Sequence, residues 1–289
     1  MLTKLHHQGH ESPSLPDCLY VLRRSPIGCP NAKHIDEWRR CRVVVTWNLV
    51  EFDEVGSTQA VAKGLASMGA PEGTTVVAKS QSSGEGRLGR TWASPVGGLY
   101  MSFVLRPGRI SRPELVTLVS AVAVVRGVNL ATGLEPKIRW PNDVMVNGKK
   151  LAGVIAEAQS YRQELTQIIV GVGVNCNAQL SHLEGLKGEA TSVSEELGMH
   201  EEISALKHSV LNSFSQLYDE WKAGEDMARI WIDHVGTLGK QVSIKLKTEE
   251  TPFSCTAKNI DENGGLMVSR GHETAVVQAE ELEWLREQE

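Results

Sequence analysis

The sequence has no apolar run that reads as a membrane span. Its longest stretch, Leu115 to Val125, is interrupted by Thr117 and Ser120 and falls short of the roughly 20 residues a bilayer crossing requires. It also lacks a cysteine pattern. The five cysteines, at positions 18, 29, 41, 176 and 255, form no CxxC pair and leave one over. That argues against a disulfide framework and against a thiolate zinc site, and it fits a reducing cytoplasm. Where a secretory signal would place its apolar segment, the chain carries His6, His7, His10 and Glu11. These histidines have no Cys or carboxylate partners at metal spacing and are read as a tail without function. Positive charge is not in excess: 30 Lys and Arg against 35 Asp and Glu leave a net charge of -5, so the whole molecule is no match for a phosphate backbone. Biased tracts and internal repeats are absent too, which excludes disorder, collagen, coiled coil and solenoid. What remains is an ordinary globular composition in 289 residues, enough for two domains at about 150 residues each.

Residues 1–46 mix Pro13, Pro16, Pro26 and Pro30 with a basic run at Arg39, Arg40 and Arg42, without a period of 2 or 3.6. They are read as an irregular N-terminal extension. Regular elements begin at Trp47. Asn48 to Glu54 predicts a strand, and Ser57 or Thr58 then caps a helix with Val61, Leu65 and Met68 on its apolar face and Gly69 as its stop. Thr74 to Ala78 and Gly98 to Leu105 predict strands that hold the loop from Ser80 to Arg90 at both ends. Ser111 and Glu114 form a capping-box signal ahead of a buried helix over Leu115 to Leu130. Asn147-Gly148 marks a type I′ hairpin between Val144 to Val146 and Leu151 to Ala156, with a further strand over Gln167 to Val174. Glu202 to Trp221 is an amphipathic helix, and after Gly236 short alternating strands predict a small β-barrel.

Two segments carry chemistry. In the loop from Gln81 to Trp92, the glycines Gly84, Gly86 and Gly89 allow close backbone approach to a ligand, while Arg87 and Arg90 supply permanent positive charge. This fits an anion clamp, although a surface loop with solvated arginines has the same composition. It is neither a Walker A loop nor a Rossmann fingerprint, because no Gly-Lys-Ser/Thr follows and a strand comes next. The second segment, Arg139-Trp140-Pro141-Asn142-Asp143, leads into the Asn147-Gly148 turn and Lys149-Lys150-Leu151-Ala152-Gly153. The hairpin brings Asp143 near the lysines, so that Asp143 and Lys150 can share one site; a turn with exposed lysines is the alternative.

Taken in order, these segments resemble the biotin protein ligases. Gly56-Ser57-Thr58, the loop Gln81 to Trp92, Arg139 to Asp143, Lys150 to Gly153 and Gly171-Val172-Gly173-Val174-Asn175 match that family's motifs, and the resemblance spans roughly residues 48–289. It implies an α/β (α+β) fold: a mixed β-sheet catalytic domain of the class II synthetase and biotin ligase type with flanking helices over 47–235, followed by a small SH3-like β-barrel over 236–289. It implies ATP and biotin as substrates with Mg²⁺, biotinyl-5′-AMP as intermediate, and a lysine of a biotin carboxyl carrier domain as acceptor. Carried over residue by residue, the catalytic set is Lys150, Arg87 and Asp143, with Lys150 preferred to Lys149. Biotin would meet Ser57, Thr58, Gln59, Gln81, Gly84, Glu85, Gly86, Arg87, Lys150 and Gly153. The nucleotide would meet Arg87, Arg90, Trp92, Asn142 and Asn175, and Asp143 would orient the metal or the incoming amine.

This sequence departs from the family's pattern in three places. Glu85 stands where the loop's first arginine is usual, a charge reversal that fits either an ion pair with Arg87 and Arg90 or repulsion of the adenylate phosphate. Gln59 follows Ser57-Thr58 where Asn is frequent. Residues 1–46 show no winged helix-turn-helix pattern, so no DNA partner is expected; neither is a membrane partner, and a homodimer is left open. The competing readings are a biotin-responsive repressor, a lipoate or octanoate protein ligase, and a noncatalytic binding module disabled by Glu85.

Overall fold

The computed structural model describes residues 45–288 apart from 109, 111, 162, 163, 181–185 and 187, and the described residues fall in one compact unit. The histidine tail, the basic run at 39–42 and Cys18, Cys29 and Cys41 therefore lie outside the described residues. Seven strands build the main sheet: β1 (Asn48–Val55), β2 (Thr74–Gln81), β3 (Leu99–Leu105), β4 (Lys137–Arg139), β5 (Asp143–Val146), β6 (Lys149–Tyr161) and β7 (Glu164–Val174). Their order is β1-β2-β3-β7-β6-β5-β4; β1 and β2 are parallel and the other neighbours antiparallel, so the sheet is mixed. The strands expected from alternation are present, whereas β4 was not expected.

Period-2 alternation divides each central strand between two faces. Leu99, Met101, Phe103 and Leu105 of β3 and Ile168, Val170, Val172 and Val174 of β7 join the larger core, together with the helices Val116–Thr132 and Ile203–Lys222. Val104 and Ile169 face the other way, onto Ala62, Ala66 and Val76 under the first helix, α1 (Thr58–Ser67). β3 is buried along its whole length, as a strand covered on both faces should be. The buried face of α1 is Thr58, Gln59, Ala62 and Ala66, one position away from the predicted Val61, Leu65 and Met68 stripe. Met68 is 78% exposed. Ala62 and Ala66 sit directly on the sheet, while Val61 and Leu65 of the expected stripe pack partly buried against the same cluster.

The second helix, α2 (Val116–Thr132), ends at Gly133, whose φ of 75° is the left-handed cap the sequence indicated. Ser111 of the expected capping box lies outside the described residues. With its lead-in turn the helix covers Pro113–Thr132, which by length and composition is apolar enough to cross a membrane. This span is longer than the Leu115 to Val125 stretch that stands out in the sequence, and it corrects the expectation that no segment is long enough. Its apolarity goes into the core: 67% of the apolar window is buried, against the sheet and the long helix that follows. The next two helices are a short α3 (Val193–Leu197), with a Ser192/Glu195 capping box that sequence reading missed, and α4 (Ile203–Lys222). At the crossing of α2 and α4, a Cβ added to Gly127 would lie 2.6 Å from the Cα of Val210. Gly127→Ala gains about 1 kcal/mol of helix propensity. Overpacking against a backbone atom outweighs that, for a net loss of about 1–2 kcal/mol and a Tm lower by about 3–8 °C in thermal denaturation.

After α5 (Met227–Ile232) the chain forms a second sheet from β8 (Gln241–Leu246), β9 (Phe253–Ile260), β10 (Leu266–Arg270), β11 (Glu273–Val277) and β12 (Leu282–Glu287), in the order β11-β10-β9-β8-β12. α5 and β12 were not expected from sequence. The two sheets are tied at Trp140, whose indole N–H donates to the Gly264 carbonyl and whose amide donates to Thr237 Oγ1, both at 3.0 Å.

Candidate active site

The face of the main sheet that carries α1 is only partly covered by it. Beside the helix, Ser102 of β3, Gly153 and Ile155 of β6, and Gly171 and Gly173 of β7 form the floor of a recess walled by Ser57, Thr58, Gln59, Gln81 and the loop residues Glu85, Gly86, Arg87 and Trp92. Residues distant in sequence thus meet because alternate positions of three adjacent strands point the same way. The recess opens into a wider cleft of about 650 Å³ between the loop, β6 and the second sheet.

Lys150 reaches this face through a β-bulge. Val144 pairs with Ala152 but Met145 pairs with Lys150, so Leu151 is the extra residue. Strict alternation would put Lys150 and Gly153 on opposite faces. The bulge restores them to the same one, with the Nζ of Lys150 within 3.6 Å of a Cβ added to Gly153. The turn that starts the strand is the type I′ turn expected, with φ of 48° at Asn147 and 78° at Gly148. Lys150 Nζ lies 2.5 Å from Asp143 Oδ1, and Arg139 lies 2.8 Å from Asp143 Oδ2. Lys149 is exposed at the turn. Burial alone would raise the Asp143 carboxyl, but the Lys150 and Arg139 partners outweigh it and hold the carboxyl below its ordinary range. The stability this pairing contributes is therefore present above the unfolded carboxylate value of about 3.9 and is lost only as pH falls through the lower folded value.

At the other end of the recess, Gln59 is held by two acceptors. Its Nε2 donates to Glu157 Oε1 and to the Ile169 carbonyl, each at 3.2 Å. A flipped amide would set oxygen against both acceptors, so the orientation is determined by the surroundings. Its Oε1 is buried and has no hydrogen-bond partner. Gln81 is used differently: its Oε1 accepts from the Thr58 amide at 2.8 Å and from Thr58 Oγ1 at 3.1 Å, and its Nε2 donates to Ser94 Oγ at 2.8 Å. Ser57 caps α1, accepting from the Ala60 amide.

The loop closes on itself through Gly86 N–H to the Arg90 carbonyl at 2.7 Å and Trp92 N–H to the Gly84 carbonyl at 2.9 Å. Gly84 is packed against Trp92 O and Ser94 Oγ, where a Cβ would lie 2.4 and 2.6 Å away. Arg87 donates to Asn142 Oδ1 at 3.2 Å and to the Ala279 carbonyl at 2.6 Å; burial pushes its pKa down, against the opposing charges of Asp143 and Glu280. Asn142, itself buried, donates to the Val154 carbonyl. Arg90 turns away to the Glu283 carbonyl at 2.9 Å and lines the outer cleft only. Glu85 does not pair with Arg87 or Arg90, as one sequence reading allowed. It lies 3.5 Å from Lys63 Nζ, which also holds Glu157 at 2.8 Å.

Trp92 lies over the floor of the recess, whereas Asn175 lies behind Lys150. The Trp92 indole covers Gly153 and Gly173, where a Cβ would lie 3.1 and 2.5 Å from it, with Lys150 Nζ 5.1 Å from its ring centre. Its buried Nε1 has no hydrogen-bond partner. With the indole there the recess is about 50 Å³, room for water rather than for a ligand, whose pockets run to roughly 300–1,000 Å³. Asn175 lines neither cavity; it donates to the Lys150 and Thr191 carbonyls and so fixes the backbone that presents Lys150. Sequence reading missed Arg139, Lys63 and Glu157. Arg139, four residues before Asp143, was the one with a spacing signal.

No group of three or more His, Cys, Asp or Glu suited to a metal occurs among the described residues. Asp143 does not fit as a metal ligand here, because Lys150 and Arg139 take both of its oxygens.

The geometry can be set beside known proteins. A family model described as Biotin/lipoate A/B protein ligase family matches residues 51–175. The bifunctional ligase/repressor BirA of Bacillus spizizenii is 34% identical over 230 residues, covering 78% of this chain and 70% of the relative. The biotin--[acetyl-CoA-carboxylase] ligase of Paracoccus denitrificans is 29% identical, covering 78% of this chain and 96% of the relative. Among solved structures, the biotin protein ligase of Aquifex aeolicus in complex with biotin and ATP superposes with a TM-score of 0.72 at 29% identity, covering 83% of this chain and 99% of that one.

Proposed function

The chain belongs to the biotin/lipoate A/B protein ligase family, and from that premise and the geometry we infer that it is an ATP-dependent biotin protein ligase. The observation that carries this is the recess itself: a lysine ammonium at one end and, at the other, a buried carboxamide oxygen that has no protein partner. Biotin has the matching ends, a carboxylate and a ureido N–H.

In the first step a biotin carboxylate oxygen attacks the α-phosphorus of ATP, the bond to pyrophosphate breaks, and biotinyl-5′-adenylate forms. Two anions must meet, so positive charge at the junction is the main requirement. Lys150 supplies it, oriented by Asp143, which Arg139 holds from the other side. Arg87, fixed by Asn142 and Ala279, faces the phosphate. Gln59 Oε1 accepts from the ureido ring, and Ser57, Thr58 and Gln81 form the wall beside it. Trp92 leaves the glycine floor as biotin enters and then covers it. In the second step the ε-amine of a carrier-domain lysine attacks the acyl carbon, AMP departs and the amine loses a proton.

Magnesium belongs to this reading only as the ion that accompanies the nucleotide; a site on Asp143 disagrees with its two ion pairs. We read residues 47–235 as the catalytic domain and 236–289 as a small SH3-like barrel built from the second sheet, with 1–46 an extension. A cytoplasmic setting fits the buried, free Cys176 and Cys255. The acceptor is a biotin carboxyl carrier domain. The repressor alternative would need a DNA reader at Arg39, Arg40 and Arg42, outside the described residues; a gel shift on operator DNA tests it. The test of the main reading is intact-mass analysis of a purified carrier domain after incubation with the full chain, ATP and biotin. One added biotinyl group on one lysine is expected. An unmodified carrier domain with biotin, while parallel incubations of the chain with lipoate or octanoate modify a lipoyl carrier domain, would overturn the assignment.

A further inference from the structure

Gln59 and Lys63 stand one turn apart on α1, and both reach the same carboxylate oxygen, Oε1 of Glu157 on β6. Lys63 also reaches Glu85 in the glycine-rich loop. One side chain therefore lies between two parts of the site: the loop that covers the recess and the carboxamide whose free oxygen faces into it. Burial alone would lower the Lys63 pKa, but the hydrogen bond and charge of Glu157, then the charge of Glu85, carry it upward, so the ammonium persists through the working range.

We propose that Lys63 is a positioning residue, linking loop closure through Glu85 to ligand recognition through Glu157 and Gln59. This rests on the ligase reading above for its ligand. With Lys63 in place, Glu85 is neutralised when the loop is closed, and Glu157 stays aligned to receive Gln59 Nε2, which keeps Oε1 facing the ligand. Without Lys63, the closed loop holds an unpaired anion near the adenylate phosphate, and Glu157 is free to turn away from Gln59. The three side chains are 28–46% exposed, so the network is partly screened and a moderate effect is expected.

The experiment uses the full chain as wild type, Lys63→Ala, Lys63→Arg, Glu85→Gln and the Lys63→Ala/Glu85→Gln double variant, and it has two independent readouts. The first is amide hydrogen exchange of Gly86 and Trp92 without ligand, which reads loop opening whatever the activity. Exchange should be about three- to fivefold faster in Lys63→Ala, near wild type in Lys63→Arg, and no faster in the double variant than in Glu85→Gln. The second is catalytic: in Lys63→Ala the KM for biotin should rise about three- to fivefold with kcat for pyrophosphate exchange within about twofold, and preformed adenylate should leave faster by a similar factor. The KM effect should persist in the Glu85→Gln background, because it runs through Glu157, whereas the release effect should vanish there. Equal effects of Lys63→Ala on loop exchange with and without Glu85 would overturn the proposal, as would a failure of Lys63→Arg to restore either readout. A wild type inactive with biotin would instead refute the ligase reading, and the hydrogen-exchange arm alone would then decide whether Lys63 holds the loop through Glu85.

Discussion

Lys150→Ala is expected to lower the rate of biotin-dependent adenylation by about 10²–10³-fold, and Lys149→Ala to leave it within about twofold. The two lysines are adjacent in sequence and opposite in environment. Lys149 is exposed at the turn, whereas Lys150 is drawn by the bulge onto the site face, 2.5 Å from Asp143 and over the Trp92 ring. On the ligase reading, removing Lys150 takes away the positive charge at the forming mixed anhydride, and it leaves Asp143 with Arg139 alone. Only part of the Lys150 side chain is buried, so the fold should survive: circular dichroism should match wild type while steady-state pyrophosphate exchange collapses. Comparable losses in both variants would show that charge on the hairpin as a whole, rather than this ammonium, supports the reaction.

Arg87→Ala is expected to weaken retention of the adenylate by about 10- to 100-fold, the loss of charge-assisted hydrogen bonds worth about 1.5–3 kcal/mol, with a smaller effect on biotin alone. Arg87 bridges three parts of the molecule: the loop it belongs to, Asn142 before β5, and the Ala279 carbonyl ahead of β12. On the ligase reading its removal deletes a cation facing the phosphate, and it removes one of the loop's two arginine ties to the C-terminal segment, leaving that of Arg90 to the Glu283 carbonyl. Chasing labelled intermediate with unlabelled biotin measures the release rate directly. Arg90→Ala, whose contact is to the exposed side at Glu283, should change that rate far less. An unchanged release rate in Arg87→Ala would contradict the assignment of this arginine to the phosphate.

Much of this was legible before any coordinates because the informative signals are local. The Asn147-Gly148 turn needs two residues tolerant of positive φ, and it determines which residues of β5 and β6 face each other. From that alone Asp143 and a lysine could be brought together. Choosing between Lys149 and Lys150 was a different matter. Strand alternation counted back from Gly153 selects Lys149; only the bulge at Leu151 selects Lys150, and a bulge leaves no mark in a pattern of period 2. The family motif points to Lys150, the lysine that the bulge carries onto the recess face, for a reason the sequence alone does not display.

The illegible features share a cause: they are pairings between distant segments. Glu85 reads in sequence as a charge among arginines, yet its partner is Lys63, on a helix that a parallel strand pairing places above the sheet. Glu157 and Gln59 are 98 positions apart. On α1 the apolar stripe Val61, Leu65, Met68 is only partly borne out: Ala62 and Ala66 hold the buried centre, Val61 and Leu65 pack at its margin, and Met68 is exposed. At α2 the apolar extent is longer than the sequence suggests, because Thr117 and Ser120 read as polar interruptions. Inside the core the Ser120 hydroxyl donates to the Val116 carbonyl at 2.6 Å and ceases to be a polar break.

The central claim, that this recess activates biotin with ATP, is tested most directly by exchange of labelled pyrophosphate into ATP catalysed by the purified chain with no carrier protein present. The account predicts exchange that requires biotin, saturates with it, and is not supported by lipoate or octanoate. Exchange that proceeds equally without biotin, or no exchange at any biotin concentration from a folded protein, would contradict it.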